Sequence, residues 1–203
     1  MTSTRRRGRP RAYDPAVAMR QARDTFWRAG YAATSLDDLA AAMRMNRPSM
    51  YAAFGDKRAL YLRAVAEYGD ISRAWLATAL ARPRSLHDGL CAVYRYARDF
   101  YLIGGDAPRG CFLLGTAVTE ANRDPEVRAI VEETMSAFTA TFAERFERAE
   151  RDGELSPHAP DALAQIATAA LNTLAMRART GASATVLDTL IDATVGVICG
   201  RPD

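Results

Sequence analysis

Apolar residues recur along most of the chain at intervals of three and four, the spacing that places them on one face of an α-helix. No stretch alternates apolar and polar residues for the length of a strand, and β-branched residues are thinly spread. Glycine, proline and capping residues divide the pattern into successive segments. The sequence therefore predicts an all-α protein of about nine helices.

Three short helices are predicted in the first third of the chain. Asp14 and Pro15 have the positions of a cap and a first-turn residue, and Gly30 ends this first helix. For the second helix, Thr34 and Ser35 are both candidate caps, with Asp37 and Asp38 as capping-box partners. Helices this short are not stable alone, so we expect them to pack on one another.

A turn and a third helix follow at once. Four irregular residues, 44–47, precede Pro48, which suits the first turn of a helix and leaves Asn46 or Arg47 as its cap. Gly55 and Asp56 end this helix. The order of caps, breaks and apolar positions predicts a helix-turn-helix whose second helix enters the major groove of DNA; a packed helical hairpin is the alternative.

At these residues the sequence resembles the N-terminal DNA-binding domain of the tetracycline-repressor (TetR) family of bacterial regulators. The resemblance rests on residues spread over the first third of the chain: Phe26, Gly30, Tyr31, Thr34, Leu39, Ala40, Ser49, Met50, Tyr51, Phe54, Lys57, Ala59 and Leu60. It departs at Arg44, where family members usually have glycine. By this resemblance, the DNA contacts fall on Thr34, Arg47, Ser49, Tyr51 and Lys57, and the adjacent Ser35 and Pro48 are further candidates.

Residues 1–13 form a basic N-terminal arm with almost nothing apolar to bury. An Arg-Gly-Arg-Pro core within it is similar to AT-hook segments, which place arginines in a narrow minor groove. The other interpretation is a solvated tail that attracts phosphates without reading sequence. Under either interpretation, the arginines of this arm contact DNA: Arg5, Arg7, Arg9 and Arg11.

Charge separates the two ends of the chain. Residues 1–58 carry twelve Lys or Arg and five Asp or Glu, whereas the net charge of the whole chain is +3. No apolar run reaches the ~20 residues of a membrane span, and the N-terminus lacks the apolar stretch of a secretion signal. Three scattered cysteines indicate a reducing compartment. We therefore expect a cytoplasmic protein with a basic, DNA-binding end, and the family resemblance implies a bacterial one.

Beyond the helix-turn-helix domain, placed at residues 14–60, residues 61–203 are predicted to form an effector-binding and dimerisation domain. A long helix from Asp56 to about Arg82 leads into it, followed by segments at 85–104, 110–122, 125–152, 160–179 and 183–199. The last two segments carry few charges. Helices with so few charges are expected to be buried on most sides, either in a two-fold dimer or in an ordinary intramolecular core. The proposed interface comprises Leu163, Ile166, Ala170, Leu174, Val186, Leu187, Leu190, Ile191, Val195 and Ile198.

Apolar side chains with a few polar groups between the long helix and the last pair predict either a small-molecule pocket or a plain core. The candidate lining is Trp75, Phe100, Cys111, Phe112, Thr116, Glu120, Met135, Phe138 and Asn172. Cys111 follows Arg109 and Gly110 at a predicted helix start, where the dipole and the guanidinium are expected to lower its pKa. The surrounding segment resembles one whose cysteine senses electrophiles in some TetR-type regulators; the alternative is an inert thiol.

These features predict a homodimeric, ligand-responsive repressor that releases operator DNA when a small molecule binds. An architectural DNA-binding protein without an effector and a cysteine-based sensor are the alternatives. The only histidines are His87 and His158, and no spacing of His, Cys and carboxylates suggests a metal or nucleophile site. We therefore expect no enzyme activity, cofactor or metal.

Overall fold

The structure, a computed structural model, describes residues 13–104, 107–155 and 160–200. Across these ranges it contains α-helices, one π-helical segment and no strand, which confirms the all-α prediction. None of these helices is long and apolar enough to cross a membrane. The helices are α1 (Pro15–Ala33), α2 (Leu36–Met43), α3 (Arg47–Phe54), α4 (Lys57–Ala81), α5 (Leu86–Tyr101), α6 (Val118–Ala121), α7 (Pro125–Arg151), α8 (Pro160–Arg179) and α9 (Ala184–Cys199).

The chain divides into two compact units. The first ends at Ala64 and the second begins at Val65, so the division falls within α4, whereas the sequence placed the boundary after residue 60. Residues 1–12, including Arg5, Arg7, Arg9 and Arg11, lie outside the described residues. The predicted loop at 156–160 also lies outside them, except for Pro160, which begins α8.

In the first unit, α1 begins where the sequence places it. The Asp14 carboxylate accepts hydrogen bonds from the amides of Ala16 and Val17, at 2.8 and 3.3 Å. Gly30, with φ of 79°, breaks the helical geometry of α1 before its last residues. The buried ring of Phe26 meets Tyr61 edge to face, with ring centroids 5.0 Å apart. This aromatic contact packs the start of α4 on α1.

In the second unit, α5, α7, α8 and α9 surround a core that contains Tyr94, Phe142 and Phe146. The Tyr94 hydroxyl is buried and donates to the carbonyl oxygen of Ala167 at 3.0 Å, so its polar group is satisfied. Ser85 and Ser183, the first residues of two predicted segments, cap α5 and α9. Local capping residues therefore determine where these two helices begin.

One prediction in the second unit is wrong in detail. An ordinary helix was expected from 110 to 122, but the segment Leu113–Ala117 is π-helical and only then continues as α6. The guanidinium of Arg179 lies over Gly115, where an added Cβ would sit 2.8 Å from its Nη1 atom. The wider π turn thus coincides with a glycine against which a large side chain of α8 packs.

Candidate functional site

Helix α3 is fixed by its ends and by one buried edge. The side-chain oxygen of Asn46 caps it by accepting from the Ser49 amide at 2.8 Å, and Gly55 ends it with φ of 78°. Met50 and Phe54 point into the core of the first unit. Asn46, one of the two predicted caps, is therefore the cap, and the opposite face of α3 is open.

The open face carries short and polar side chains. Arg47, Pro48, Ser49, Tyr51 and Ala52 are all exposed. Small groups allow close approach to base edges, while the guanidinium and hydroxyls are donors for bases and phosphates. Four of the predicted DNA contacts, Arg47, Pro48, Ser49 and Tyr51, thus share one accessible surface, which we call the α3 face.

The turn between α2 and α3 is tight without a glycine. Arg44 has φ of 52° and ψ of 42°, and it is the one non-glycine residue of the described ranges with positive φ. Its amide donates to Ala41 at 3.2 Å, and the next amide, that of Met45, donates to Ala40 at 3.0 Å. The Met45 side chain is buried. A left-handed arginine costs about 1 kcal/mol, which these contacts offset.

Helix α2 uses only part of its predicted caps. The Ser35 hydroxyl accepts from the Asp38 amide at 3.0 Å, and the Asp38 carboxylate accepts from the Ser35 amide at 2.9 Å, forming a capping box. The pKa of Asp38 is lowered by the hydrogen bond that its carboxylate accepts from the Ser35 hydroxyl at 2.7 Å, and then by the one from the Ser35 amide. Asp37 is not a capping partner. Its carboxylate instead binds Arg47, through Nε at 3.0 Å and Nη2 at 2.7 Å.

Thr34 differs from its predicted role. Its side chain is buried, and its hydroxyl donates to the carbonyl oxygen of Gly30 at 2.6 Å. This hydrogen bond ties the Thr34 hydroxyl to the end of α1. The side chain is therefore not on the protein surface, where the predicted phosphate contact requires it. Ser35 remains exposed at the start of α2.

Lys57, at the start of α4, is held by an aromatic ring. Its ammonium nitrogen lies 4.4 Å from the centroid of the Tyr31 ring, within range of a cation–π interaction. The Tyr31 ring in turn packs on Tyr61 at 4.8 Å. A cation at the N-terminus of a long helix adds to the positive end of the helix dipole. Lys57 is therefore presented where an anion is attracted.

In the second unit the predicted ligand residues do not form one pocket. Cys111 and Asn172 line a groove of about 350 Å³ between the π-helical segment and α8, which we call the π–α8 groove. Met135 and Asn172 line a second groove of about 530 Å³ between α7 and α8. Trp75 lies in a third, where it stacks on Tyr96 at 4.9 Å.

Other predicted ligand residues belong to the core or line none of these grooves. Phe112, Thr116 and Phe138 are buried, with the Thr116 hydroxyl donating to the carbonyl oxygen of Phe112 at 3.1 Å. Phe100 and Glu120 are half-buried outside the grooves just described. Periodicity identifies the side chains that point inward, but it does not separate a cavity wall from close packing.

Cys111 is buried, and the expected lowering of its pKa is wrong. Burial raises the pKa of the thiol, and this outweighs the hydrogen bond it accepts from the Tyr68 hydroxyl at 3.5 Å. Burial also raises the pKa of Tyr68. The protonated thiol is thus the stable form at neutral pH, which opposes reaction as a thiolate nucleophile.

The predicted interface residues divide into two sets. Leu174, Leu187, Ile191, Val195 and Ile198 are buried within the second unit, so their side chains do not reach its surface. Ile166 and Val186 are exposed, and Leu163, Ala170 and Leu190 are half-buried. Two further exposed side chains, Met176 and Val197, join them on α8 and α9, and Val197 is 71% exposed.

The family follows from matches to two family models. The one described as "Bacterial regulatory proteins, tetR family" matches residues 18–64, and "Tetracyclin repressor-like, C-terminal domain" matches residues 87–194, more than half of the chain. The protein belongs to the TetR family. It is a DNA-binding transcriptional regulator, and the resemblance stated for the first third of the sequence is confirmed.

Several relatives share nearly the whole length of this TetR-family chain. The HTH-type transcriptional regulator YezE of Bacillus subtilis (strain 168) is 28% identical over 199 residues, 94% of this chain and 99% of YezE. The HTH-type transcriptional repressor ComR of Escherichia coli (strain K12) is 28% identical over 178 residues, 87% of this chain and 85% of ComR. The HTH-type transcriptional repressor BdcR, also of Escherichia coli (strain K12), is 32% identical over 137 residues, 66% of each chain.

Solved structures show the same fold. A cysteine mutant of the TetR family transcriptional regulator CifR, complexed with 26-base-pair double-strand operator DNA, has a TM-score of 0.84 and 28% identity. The match covers 94% of this chain and 100% of the CifR chain. The reduced form of Escherichia coli NemR has a TM-score of 0.79 at 16% identity, covering 93% of this chain and 98% of NemR, and shows the likeness of fold alone.

Sequence reasoning missed two features of this TetR-family regulator. The pair of Asp37 with Arg47 joins the starts of α2 and α3, and a search for opposite charges flanking the turn identifies it. The second feature is an ion pair in which the buried Arg145 donates to Glu154 at 3.1 Å. No local pattern marks it, because an arginine on α7 usually faces solvent.

Proposed function

We propose that this protein is a repressor that binds operator DNA as a homodimer through the α3 face and releases it when a small molecule binds the second unit. The observation that carries the proposal is the α3 face itself, a capped helix with one buried edge and Arg47, Ser49 and Tyr51 exposed on the other. ComR and BdcR are transcriptional repressors, and the CifR mutant is complexed with operator DNA.

We expect some residues of the first unit to position the protein on the DNA backbone and others to read the base sequence. Tyr51 and Ser49 supply hydroxyls, and Lys57 supplies a cation beside the N-terminus of α4, which suits contact with phosphates. We assign Arg47, in the first turn of α3, to the base edges of the major groove. The arginines of the N-terminal arm add phosphate attraction that weakens as salt rises.

Dimer formation is supported by apolar surface on the last two helices. Ile166 and Met176 on α8, and Val186 and Val197 on α9, are between 40% and 71% exposed. Apolar side chains that share two adjacent helices are typical of protein–protein interfaces. A second copy of α8 and α9 covers them by two-fold symmetry and repeats the α3 face for the second half of an operator.

The π–α8 groove is the proposed effector site. Its volume of about 350 Å³ lies within the range of ligand pockets, and its wall is mostly apolar, with Asn172, Thr173 and Arg179 as polar contacts. A ligand that binds more tightly to the state with weak DNA affinity shifts the population toward that state. Release of the operator is the expected result.

Selection from a randomised 26-base-pair duplex library tests operator binding. Enrichment of two half-sites, about one helical turn or a multiple apart, supports the proposal. Equal retention of all duplexes at fixed salt contradicts it and indicates an architectural protein. Val197→Glu, which places a charge on the apolar face of α9, is expected to give monomers by sedimentation and to weaken operator binding.

A groove-filling variant tests the effector site. Small apolar compounds are added to the complex of protein and selected operator, and release of DNA is followed by fluorescence anisotropy. Thr173→Trp narrows the π–α8 groove and is expected to keep operator binding while losing the response to compounds that release the parent. An unchanged response in this variant contradicts the assignment of the groove.

A further inference from the structure

We propose that Asp37 is a positioning residue that holds Arg47 so that the end of its guanidinium reads a guanine in each operator half-site. The inference rests on the proposed operator binding by the α3 face, and it deepens that proposal by naming the base and the residue that orients its reader. The contact between Asp37 and Arg47 carries it.

The contact occupies one edge of the guanidinium. Asp37 Oδ1 lies 3.0 Å from Nε and 2.7 Å from Nη2 of Arg47, so the carboxylate binds the edge formed by these two nitrogens. In the described part of the chain, no other acceptor is hydrogen-bonded to Arg47. The remaining donors, on Nη1 and the far side of Nη2, form a parallel fork at the end of the side chain.

Asp37 is available for this role because its neighbour makes the cap. Asp38 closes the capping box with Ser35, whereas Asp37 makes no capping bond. Both partners of the ion pair start from fixed backbone, Asp37 in the first turn of α2 and Arg47 at the first residue of α3. The side chains are 77% and 51% exposed, so the pair contributes little to folding. Its physical effect is to restrict the rotamers of Arg47.

Guanine matches the fork that remains. Its N7 and O6 atoms accept two parallel N–H bonds in the major groove, and the paired donors at the end of an arginine fit them. A carboxylate behind the guanidinium is repelled by phosphates, so it also opposes swinging of Arg47 onto the backbone. Asp37 therefore favours base reading over nonspecific phosphate contact.

The experiment compares half-site sequences selected from a randomised 26-base-pair duplex library by the parent, Asp37→Asn, Arg47→Ala and the double variant. The parent is expected to prefer guanine at one half-site position by roughly five- to 150-fold, the range for a bidentate pair. Arg47→Ala loses this preference. Asp37→Asn retains Arg47 yet lowers the preference by about twofold or more, since the fork is no longer oriented.

The double variant separates positioning from charge. If Asp37 acts through Arg47, Asp37→Asn changes no base preference in the Arg47→Ala background, although it strengthens binding to all duplexes by removing a negative charge. Glu132→Gln removes the same charge from an exposed position on α7 and leaves the guanine preference unchanged. Thermal unfolding of Asp37→Asn is expected to match the parent, because the Ser35–Asp38 cap is intact.

Two results overturn the inference while leaving operator binding in place. One is selection of an operator in which no guanine column depends on Arg47. The other is an Asp37→Asn variant with the same base preferences as the parent. Absence of any enriched sequence for the parent contradicts the proposed function, and this inference with it.

Discussion

Two ion pairs, one in each unit, have the same chemistry and opposite surroundings. Arg47 and Asp37 join α2 to α3 with side chains 51% and 77% exposed. Arg145 and Glu154 have side chains only 3% and 28% exposed, and the same arginine also donates to the carbonyl oxygen of Arg84. Glu154 accepts from the Leu86 amide as well. The first pair leaves donors free for a partner, whereas the second ties two loops of the protein to α7.

The difference in exposure indicates that a buried charged side chain contributes to folding, whereas an exposed one is available for binding. Removing the buried Arg145 leaves the carbonyl oxygen of Arg84 and the Glu154 carboxylate without their donor, so stability falls. In an exposed pair, water replaces the lost partner and stability changes little. We therefore expect DNA binding by the first unit to depend on polar groups that its fold does not need. In the second unit, Arg145 and Glu154 connect two loops to α7.

The largest expected effect is on stability in the second unit. Arg145→Ala leaves Glu154 and the carbonyl oxygen of Arg84 without this donor, and it is expected to lower the free energy of unfolding by about 1–3 kcal/mol. Urea denaturation measures this loss. Arg151→Ala, at the exposed end of α7, is the matched control and should change stability by less than about 0.5 kcal/mol. Equal stability of both variants would refute the contrast.

The reverse pattern is expected for Arg47→Ala. Affinity for a selected operator should fall roughly five- to 150-fold, while the unfolding midpoint stays close to that of the parent. Fluorescence anisotropy gives the affinity, and denaturation of the free protein gives the midpoint. Arg151→Ala removes the same charge and should bind the operator normally. A large loss of stability in Arg47→Ala would show that the exposed pair serves folding after all.

A smaller effect is expected in the turn between α2 and α3. Arg44→Gly removes the strain of a left-handed arginine and should raise the free energy of unfolding by up to about 1 kcal/mol. Arg20→Gly, at an exposed position inside α1, should lower it by about 1 kcal/mol. Both values come from denaturant unfolding, and the same sign for the two substitutions contradicts the left-handed geometry.

The smallest effect concerns the pH dependence of stability. Burial raises the pKa of Cys111 above its ordinary value of 9.0, so the unfolded chain releases this proton at lower pH than the folded protein. Stability from this group is complete below about pH 9 and is lost as pH rises further. Cys111→Ser should weaken this alkaline loss, as measured by thermal unfolding from pH 7 to 10. At pH 7, Cys111 should react with iodoacetamide slowly until the protein unfolds.

Caps and breaks made most of the helices predictable. Asp14, Ser35, Asn46, Ser85 and Ser183 are residues whose side chains bond the nearest amides, so sequence alone carries the signal. The α3 face was predictable for the same reason, since Pro48 and Gly55 fix its ends and Met50 and Phe54 its buried edge.

The remaining features depend on contacts between distant residues. The π turn at Leu113–Ala117 coincides with the packing of Arg179 on Gly115, which no local pattern reveals. Cys111 has the neighbours of a reactive thiol in sequence, but burial determines its pKa. Thr34 has a hydroxyl that could contact a phosphate, but this hydroxyl donates to the carbonyl oxygen of Gly30 instead. The groove residues could not be separated from the core, because both face inward at the same helical spacing.

Cross-linking from Ser49 shows whether the α3 face contacts the bases of operator DNA. Ser49→Cys, in a background with Cys199→Ser and with the buried Cys91 and Cys111 retained, is labelled with a photoactivated cross-linker and bound to the selected operator. We expect cross-links to bases within each half-site, and none from Glu147→Cys on the exposed side of α7. An operator complex that cross-links no better from Ser49 than from Glu147 would contradict the assignment of the α3 face to DNA.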